Sequence, residues 1–382
     1  MAQQALPETT LRAQLLESFN TPYTLKSVPL PSLTQPHAVL VRVLAASYCH
    51  TDHVLASGQM PPFPPSFPHI GCHEFSGEIV SFHPDAPPSE WNVGDKVGVP
   101  GRSFHPCGKC FECSAEPTPE QPDIDGGGYS VYCSKAGNHG ISAPGGFREY
   151  AVVDSRQIAP LPEKISAVEG ATLMCAGLTI YGALKKVGLK KGQRVGIMGA
   201  GGGLGHLGLQ FAAAMGLRVT GFDIQPGPLE LARSIASGRE NVTIIDSTTV
   251  KAEDVVGQLG AEDGKQDKGE MGVDAVIILP ESQKAFDYGM ALLKTHGKCV
   301  VVSFPEKGFH VSARDIVFRD ISVVGSLVGS NKILREMLLF AAEHDVKASI
   351  KTFPLSKLNE LVEEYLEAKG GKLAIDMTLA DT

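Results

Sequence analysis

A dense run of glycines is the feature that most constrains what this 382-residue chain can fold into. Five of the seven residues from Gly199 to Gly205 are glycine, after the β-type run Arg194–Met198 and at the start of the helical pattern Leu204–Met215. Glycine lets backbone N–H groups approach a pyrophosphate, whose charge is stabilised by the positive N-terminus of the helix. Strand, glycine turn and helix in this order predict a dinucleotide-binding unit.

An acidic residue closes the strand that follows this helix. Asp223 lies eighteen residues after Gly205, at the end of the β-type run 218–223. An acid at this place accepts hydrogen bonds from the adenosine ribose and repels the extra phosphate of NADP, so NAD(H) is the predicted coenzyme. A tight turn without a ligand is the alternative. The predicted coenzyme residues of this unit are Gly199, Gly201, Gly202, Gly203, Leu204, Gly205 and Asp223.

The chain changes its pattern near residue 176. Before this point, short β-type runs are broken by Pro and Gly, which is typical of a mostly antiparallel β domain with long loops. After it, β-branched runs alternate with helical patterns, which predicts a parallel sheet covered by helices on both faces. A chain of 382 residues, 43% of them hydrophobic, is long enough for two domains with buried cores.

No secretory signal and no membrane segment are predicted. The first twenty residues have no cationic start followed by an apolar stretch. Residues 195–217 contain no Asp, Glu, Lys or Arg and could span a bilayer by length, but their glycines would interrupt a spanning helix. We therefore expect a cytoplasmic protein, in which cysteines stay reduced and available for metal.

Four of the eight cysteines form a metal-binding pattern. Cys107, Cys110 and Cys113 are separated by two residues each, and Cys133 follows after nineteen more. Four thiolates suit tetrahedral zinc with no open position, which makes a structural site, whereas unrelated thiols are the alternative. A nucleic-acid-binding module would need a basic surrounding, but acids flank these cysteines and the net charge is -8. No nucleic-acid partner is expected.

Further motifs occur in order along nearly the whole chain. They are Cys49-His-Thr-Asp52, Gly71-Cys-His-Glu74, Gly94-Asp-Lys-Val97, the cysteine cluster, Cys175-Ala-Gly-Leu-Thr179, the glycine turn, Gly325-Ser-Leu-Val-Gly329 and Gly371-Lys372. With them the sequence resembles the medium-chain, zinc-dependent alcohol dehydrogenases, and most closely the yeast-type members. The resemblance implies an α/β protein: a Rossmann domain with a doubly wound parallel sheet, 179–326, inserted in a mainly β, GroES-like catalytic domain, 1–178 and 327–382.

The same resemblance implies a catalytic zinc held by Cys49, His73 and Cys175. Two thiolates and one imidazole leave zinc an open position for the oxygen of a small alcohol, aldehyde or ketone. Zinc would lower the pKa of the bound alcohol, and the resulting alkoxide would pass a hydride to NAD, while Thr51 would start the proton relay. The implied cofactors are NAD(H) and zinc, one ion catalytic and the other structural.

Further residue roles are carried over from the resemblance. Asp52 would orient the ring of a zinc-binding histidine, and Glu74 would assist ligand exchange beside the zinc. The residues that would contact the coenzyme outside the glycine turn are His50, at the pyrophosphate, Thr179, Ser303 and Lys372, the last in place of a phosphate-binding Arg. The family also implies a homodimer or a homotetramer.

Several positions depart from the family pattern. Val54 stands where many members have a relay histidine, so we expect the proton to leave through Thr51, the ribose and water, with His53 as a lesser candidate. The loop between Cys113 and Cys133 is longer than is usual in the family, so the resemblance leaves the geometry of this loop open. Ala56 stands where yeast-type ethanol enzymes have Trp, so we expect a wider pocket that does not prefer ethanol. The cysteines expected to be ordinary buried thiols are Cys72 and Cys299.

Two other functions remain open at this point. One is a zinc-free quinone or enoyl reductase of the same superfamily, and the other is a non-catalytic module that binds NAD and zinc. The presence of Cys49, His73 and Cys175 together argues against the first. These ligands and Thr51 argue against the second.

Overall fold

The computed structural model describes residues 9–119 and 121–380. The elements before residue 188 are β1 (Thr10–Leu15), β2 (Thr24–Pro29), β3 (Ala38–Tyr48), α1 (His50–Ala56), β4 (Glu74–Phe82), β5 (Lys96–Pro100), β6 (Arg102–Phe104), β7 (Gly137–Asn138), β8 (Tyr150–Asp154), β9 (Ala159–Pro160), α2 (Ala167–Thr172), a π-helical turn (Leu173–Gly177) and α3 (Leu178–Val187).

The remaining elements alternate between strands and helices. They are β10 (Arg194–Met198), α4 (Gly205–Ala214), β11 (Arg218–Asp223), α5 (Pro226–Ala236), β12 (Val242–Asp246), α6 (Ala252–Glu262), β13 (Val273–Ile278), α7 (Gln283–Leu292), β14 (Leu293–Val301), α8 (Ala313–Arg319), β15 (Ser322–Gly325), α9 (Asn331–His344), β16 (Ile350–Phe353), α10 (Leu358–Leu366) and β17 (Lys372–Asp376). Short 3-10 turns lie at Lys268–Glu270 and Leu355–Lys357.

The early strands form a sheet that the end of the chain completes. Its order is β16-β17-β3-β4-β5-β9, and β8 also pairs with β3. Its pairs are antiparallel except β16 with β17, and Ala374 of β17 lies opposite Ser47 of β3. The mainly β domain is therefore discontinuous, because the chain leaves it and returns.

The second sheet is parallel throughout, with the order β12-β11-β10-β13-β14-β15. This is the strand order of the doubly wound dinucleotide-binding fold. Strand β10 lies between β11 and β13, so the glycine turn at its carboxyl end lies where the strand order reverses. Both predictions of sheet type are confirmed, whereas the boundaries at 178 and 326 stay a prediction.

Helices cover both faces of the parallel sheet. One apolar core joins Ile197 of β10 with Leu209 of α4 and Leu334 of α9. A second apolar core contains Val276 of β13 and Phe286 of α7. Helix α9 therefore packs on the parallel-sheet domain, although it lies within the predicted catalytic segment 327–382.

One helix in the described part of the chain, Ala167–Val187, is long and apolar enough to cross a membrane. The most apolar stretch of this helix is 72% buried inside the fold. Core packing therefore accounts for its composition. Residues 195–217 form β10, the glycine turn and α4, as the glycines predicted.

Candidate active site

The three side chains of the expected catalytic metal site come from distant elements and lie together. Cys49 directly precedes α1, His73 directly precedes β4, and Cys175 lies in the π-helical turn. Their ligand atoms all lie within 4.8 Å of one another. Zinc bonds thiolate sulfur at about 2.3 Å and imidazole nitrogen at about 2.0 Å in a tetrahedron, so this donor set fits zinc with one position left open.

An irregularity in the long helix presents Cys175. Residues Leu173–Gly177 form a π-helical turn between α2 and α3. Such turns interrupt the regular helix and occur often at functional sites. Here Cys175 is partly exposed, while its neighbours Met174 and Ala176 are fully buried. The turn thus leaves one partly exposed thiol between buried neighbours.

Asp52 holds two of the expected ligands in position. Its Oδ2 accepts the backbone N–H of Cys49 at 2.9 Å, and its Oδ1 accepts that of Cys72 at 3.1 Å. Oδ1 also lies 3.3 Å from Nδ1 of His73, which leaves Nε2 of that ring for a metal. Burial opposes a charge on His73, but the Asp52 carboxylate raises the pKa of His73 well above its ordinary value.

A buried ion pair lies beside the same cluster. The Glu74 carboxylate accepts a hydrogen bond from Nζ of Lys372 and another, at 3.4 Å, from the N–H of Ala176. Lys372 also donates to the carbonyl of Tyr48 at 2.9 Å. Burial raises the pKa of Glu74 above its ordinary value, and Lys372 opposes this shift. The resemblance implied that Lys372 contacts a coenzyme phosphate. In this structure, Lys372 forms an ion pair with Glu74 instead.

The glycine turn lies next to that ion pair. A Cβ atom on Gly203 would be 3.3 Å from Cδ of Lys372. Gly199 has a φ of +80°, and a Cβ atom on Gly201 would be 1.8 Å from the carbonyl oxygen of Pro228. The turn therefore requires glycine for its conformation and for its close packing, and it lies near the metal ligands.

Asp223 ends β11 against the turn. Its Oδ2 accepts the N–H of Gly201 at 2.9 Å, and its Oδ1 accepts the N–H of Ile224 at 2.8 Å. Only 9% of the residue is exposed. Asp223 thus helps to hold the glycine turn, in addition to the coenzyme contact that its position predicts.

Two of the expected hydroxyl groups adjoin the metal ligands. Oγ1 of Thr51 lies 3.9 Å from Sγ of Cys49, and Oγ1 of Thr179 lies 4.0 Å from Sγ of Cys175. Ser303 lies two residues beyond β14 and donates to the carbonyl of Pro280 at 2.9 Å. Ser303 therefore lies at the carboxyl edge of the parallel sheet, the edge at which the glycine turn begins. Leu204 is the residue that precedes α4.

The first turn of α1 places His50 and His53 beside a tyrosine from the end of the chain. Nδ1 of His50 lies 2.8 Å from Oη of Tyr365 in α10. The His53 ring is 5.7 Å from the Tyr365 ring, and burial lowers the pKa of His53. Sequence reasoning missed Tyr365 because it is 315 residues from His50 and no motif marks its helix.

The four remaining expected metal ligands form a second cluster. The sulfur atoms of Cys107, Cys110, Cys113 and Cys133 all lie within 4.8 Å of one another. The N–H of Cys107 donates to Sγ of Cys133 at 3.4 Å, so the long loop returns the last cysteine to the others. Four sulfur donors without an open position fit a structural zinc.

The two other cysteines belong to neither cluster. Cys72 and Cys299 are fully buried, as expected of ordinary thiols. Cys72 has a φ of +78°, which a residue with a side chain rarely adopts, and its thiol donates to the carbonyls of Ser47 and Glu74 at 3.4 and 3.2 Å.

A cavity of about 480 Å³ lies outside the cluster of Cys49, His73 and Cys175. Its walls come from the long cysteine loop, from α3, from the segment before α9 and from α9 itself: Glu112, 121–125, 130–132, Gly182, Lys185, Lys186, 326–330 and Ile333. Neither Cys49, His73 nor Cys175 contributes to it. We assign the candidate site from the cluster of Cys49, His73 and Cys175 and from the glycine turn, because these residues carry groups that suit a metal and a pyrophosphate.

Replacing Lys372 with Met should lower the free energy of unfolding by about 3–5 kcal/mol, because the Glu74 carboxylate would stay buried without its cation. Chemical denaturation followed by circular dichroism measures the loss. The double variant Lys372→Met, Glu74→Gln should recover most of it. The matched control is Lys357→Met, which breaks an exposed pair with Glu360 and should cost less than about 1 kcal/mol. Equal losses in the two single variants would contradict the expectation.

Comparison with known proteins agrees with this geometry. Residues 35–163 match the family described as Alcohol dehydrogenase GroES-like domain, and residues 203–343 match the family described as Zinc-binding dehydrogenase. An alcohol dehydrogenase of Geobacillus stearothermophilus is 33% identical over 359 residues, which cover 94% of this chain and 97% of that protein.

Solved structures have the same fold. The alcohol dehydrogenase of the archaeon Aeropyrum pernix superposes with a TM-score of 0.79 at 26% identity, over 96% of this chain and 100% of the other. Acetophenone reductase of Geotrichum candidum, solved with NAD, superposes with a TM-score of 0.77 at 24% identity, over 98% of each chain. From its two matched domains and its full-length relatives, the chain belongs to the zinc-dependent alcohol dehydrogenase family and is an oxidoreductase.

Proposed function

We propose that this enzyme uses zinc and NAD(H) to interconvert a small alcohol and its aldehyde or ketone. One observation carries the proposal: the cluster of Cys49, His73 and Cys175 lies beside the glycine turn, and the Glu74–Lys372 ion pair joins the two. Hydride transfer from an alcohol needs a site that activates the hydroxyl next to the site that holds the nicotinamide. In the proposed enzyme, the cluster would provide the first site, and the adjacent glycine turn would bind the coenzyme that carries the nicotinamide.

Each cysteine cluster would hold one zinc ion. Cys49, His73 and Cys175 would bind the catalytic ion, which supplies a Lewis acid that lowers the pKa of a substrate hydroxyl. The hydrogen bond between the two thiols lowers the pKa of Cys49 well below its ordinary value and raises the pKa of Cys175 well above its own, so Cys49 is the thiol that this pair favours as a thiolate. The other four cysteines would bind a structural ion.

Thr51 would take the proton that the alcohol loses. Its hydroxyl lies 3.9 Å from Sγ of Cys49, and a hydroxyl group can accept one proton while it donates another. Val54 has no group for proton transfer, and the ring of His53 packs near Tyr365. We therefore propose a route from Thr51 through the ribose to water. When bound, the nicotinamide would supply the acceptor for the hydride of the alcohol carbon, and Thr179 would contact the nicotinamide.

The proposed coenzyme is NAD, although the fold by itself does not distinguish NAD from NADP. The acetophenone reductase that was solved with NAD is only 24% identical, so the similarity shows a shared fold and no more. The choice instead follows from Asp223, whose carboxylate would repel the additional phosphate of NADP. His50 and the N–H groups of the glycine turn would bind the pyrophosphate, with further contacts from Ser303 and Lys372.

A panel of alcohols, aldehydes and ketones, followed by NADH absorbance and repeated with NADP(H), tests the function. We expect turnover with NAD to be at least about tenfold more efficient than with NADP. We also expect bulky or aromatic alcohols to be better substrates than ethanol, because Ala56 stands where yeast-type ethanol enzymes have a Trp and would leave a wider pocket. Asp223→Asn should reduce the preference for NAD, since the amide oxygen still accepts the N–H of Gly201 but carries no charge.

The control for that variant is Asp345→Asn, which removes an exposed carboxylate paired with Lys347 and should change no preference. A wild-type preference for NADP would overturn the assignment of Asp223. Higher efficiency for ethanol than for bulky alcohols would contradict the wider pocket. Failure of every substrate with either coenzyme would contradict the proposed activity.

Metal analysis by mass spectrometry should find about two zinc ions per chain, one in each cluster. Cys49→Ala should lower the content to about one ion and abolish turnover, while Cys110→Ala should also lower it to about one ion. The matched control is Cys299→Ala, a buried thiol outside both clusters that should leave both ions bound. A wild-type content of one ion that survives Cys49→Ala would remove the catalytic zinc from the mechanism.

We also propose that the chain self-associates through the outer edge of the parallel sheet. Strand β15 ends that sheet, and the preceding helix α8 exposes Val317 and Phe318 to 72% and 80%. Large exposed apolar side chains on a helix beside an edge strand are typical of protein interfaces. Light scattering should give at least twice the 40.5 kDa of one chain, and Phe318→Glu should lower it. Leu339→Glu, at a side chain that is 66% exposed on α9, is the control, and a monomeric wild type would refute the proposal.

A further inference from the structure

His50 lies between partners from two parts of the fold. Its Nδ1 is 2.8 Å from Oη of Tyr365, in α10 of the mainly β domain. Its Nε2 is 3.7 Å from Oε1 of Glu281, which follows β13 of the parallel sheet. The imidazole ring therefore connects the two domains at the place where the coenzyme is expected to lie between them.

Aromatic packing holds Tyr365 in place. Its ring centroid lies 5.1 Å from that of Tyr48 and 5.7 Å from that of His53. Burial raises the pKa of the Tyr365 phenol above its ordinary value, so the hydroxyl keeps its proton. When this hydroxyl donates to Nδ1 of His50, the ring hydrogen is on Nε2, and Nε2 becomes a donor toward the parallel-sheet domain.

Glu281 lies beside the glycine turn. It directly follows Pro280, and a Cβ atom on Gly199 would be 3.2 Å from Cγ of Pro280. The side chains of His50 and Glu281 are 55% and 42% exposed, and their 3.7 Å separation is longer than a hydrogen bond. Exposed pairs of this kind contribute little and are easily exchanged for a better partner.

We propose that Tyr365 is a positioning residue of the coenzyme site, and that Glu281 is the partner of His50 that the coenzyme pyrophosphate replaces. This inference rests on the proposed function, in which His50 binds the pyrophosphate. One N–H group at Nε2 cannot serve the carboxylate and the pyrophosphate together, so Glu281 competes with the coenzyme. Tyr365 keeps the ring at the same orientation for either partner.

The two residues therefore have opposite effects on coenzyme affinity. Tyr365→Phe frees the His50 ring to rotate, and ordering it must then occur during binding, so affinity should fall by about threefold to tenfold. Glu281→Gln removes the competing charge, so affinity should rise by about twofold to fivefold. A purely structural role for either residue predicts no rise in affinity for any variant.

Calorimetry on the full-length, zinc-loaded enzyme tests this with NADH and with ADP-ribose, which has the pyrophosphate but no nicotinamide. Each variant should change both dissociation constants by the same factor. The rate of hydride transfer at saturating coenzyme should stay within about twofold of wild type. The controls are Tyr181→Phe, which removes a hydroxyl bonded to Glu336, and Glu90→Gln, which breaks an exposed pair with Arg335.

A double-mutant cycle with His50→Ala decides whether the effects pass through this ring. Both effects should be largely lost when His50 is absent. Unchanged affinity in Glu281→Gln, or an equal rise without His50, would overturn the competition. Equal weakening by Tyr365→Phe without His50 would overturn the positioning role. A wild-type enzyme that binds neither ligand would refute the proposed coenzyme itself, and this proposal with it, whereas normal binding with unaffected variants refutes the inference alone.

Discussion

The buried ion pair between Glu74 and Lys372 is the contact on which the geometry of the site depends. Buried charges are tolerated only when each has its partner and further hydrogen bonds, and here Tyr48 and Ala176 provide them. Lys372 begins β17, the strand by which the chain returns to its first sheet, and its stem adjoins Gly203. The pair thus joins the last strand, the metal ligands and the glycine turn.

Backbone contacts around this pair prepare the proposed metal site. Asp52 accepts the N–H group of Cys49, which precedes α1, and that of Cys72, which lies two residues before β4, and it also orients the ring of His73. The π-helical turn adds Cys175 from a helix that is otherwise part of the core. These hydrogen bonds and this packing hold the expected ligands in position, which limits the cost of ordering them when a metal binds.

Motifs that are local in sequence could be predicted well. The glycine turn and Asp223 belong to one strand–helix–strand unit, β10-α4-β11. Cys133 joins its predicted cluster, although nineteen residues separate it from Cys113. The dispersed ligands Cys49 and His73 could be joined only through the family resemblance, because spacing does not indicate contacts between distant segments. The pairing of Lys372 with Glu74 could not be predicted, since it depends on which buried carboxylate lies nearest to the lysine after folding.

The sequence by itself determined the two sheet types, the glycine turn and the four-cysteine pattern, because these depend on local periodicity, spacing and residue chemistry. Only the tertiary structure decided which side chains meet between the domains. Tyr365 and Glu281 reach His50 from segments 315 and 231 residues away, and neither carries a local signal. Contacts of this kind arise from the return of α10 to the β domain and from the packing of the parallel sheet beside it, which no short stretch of sequence encodes.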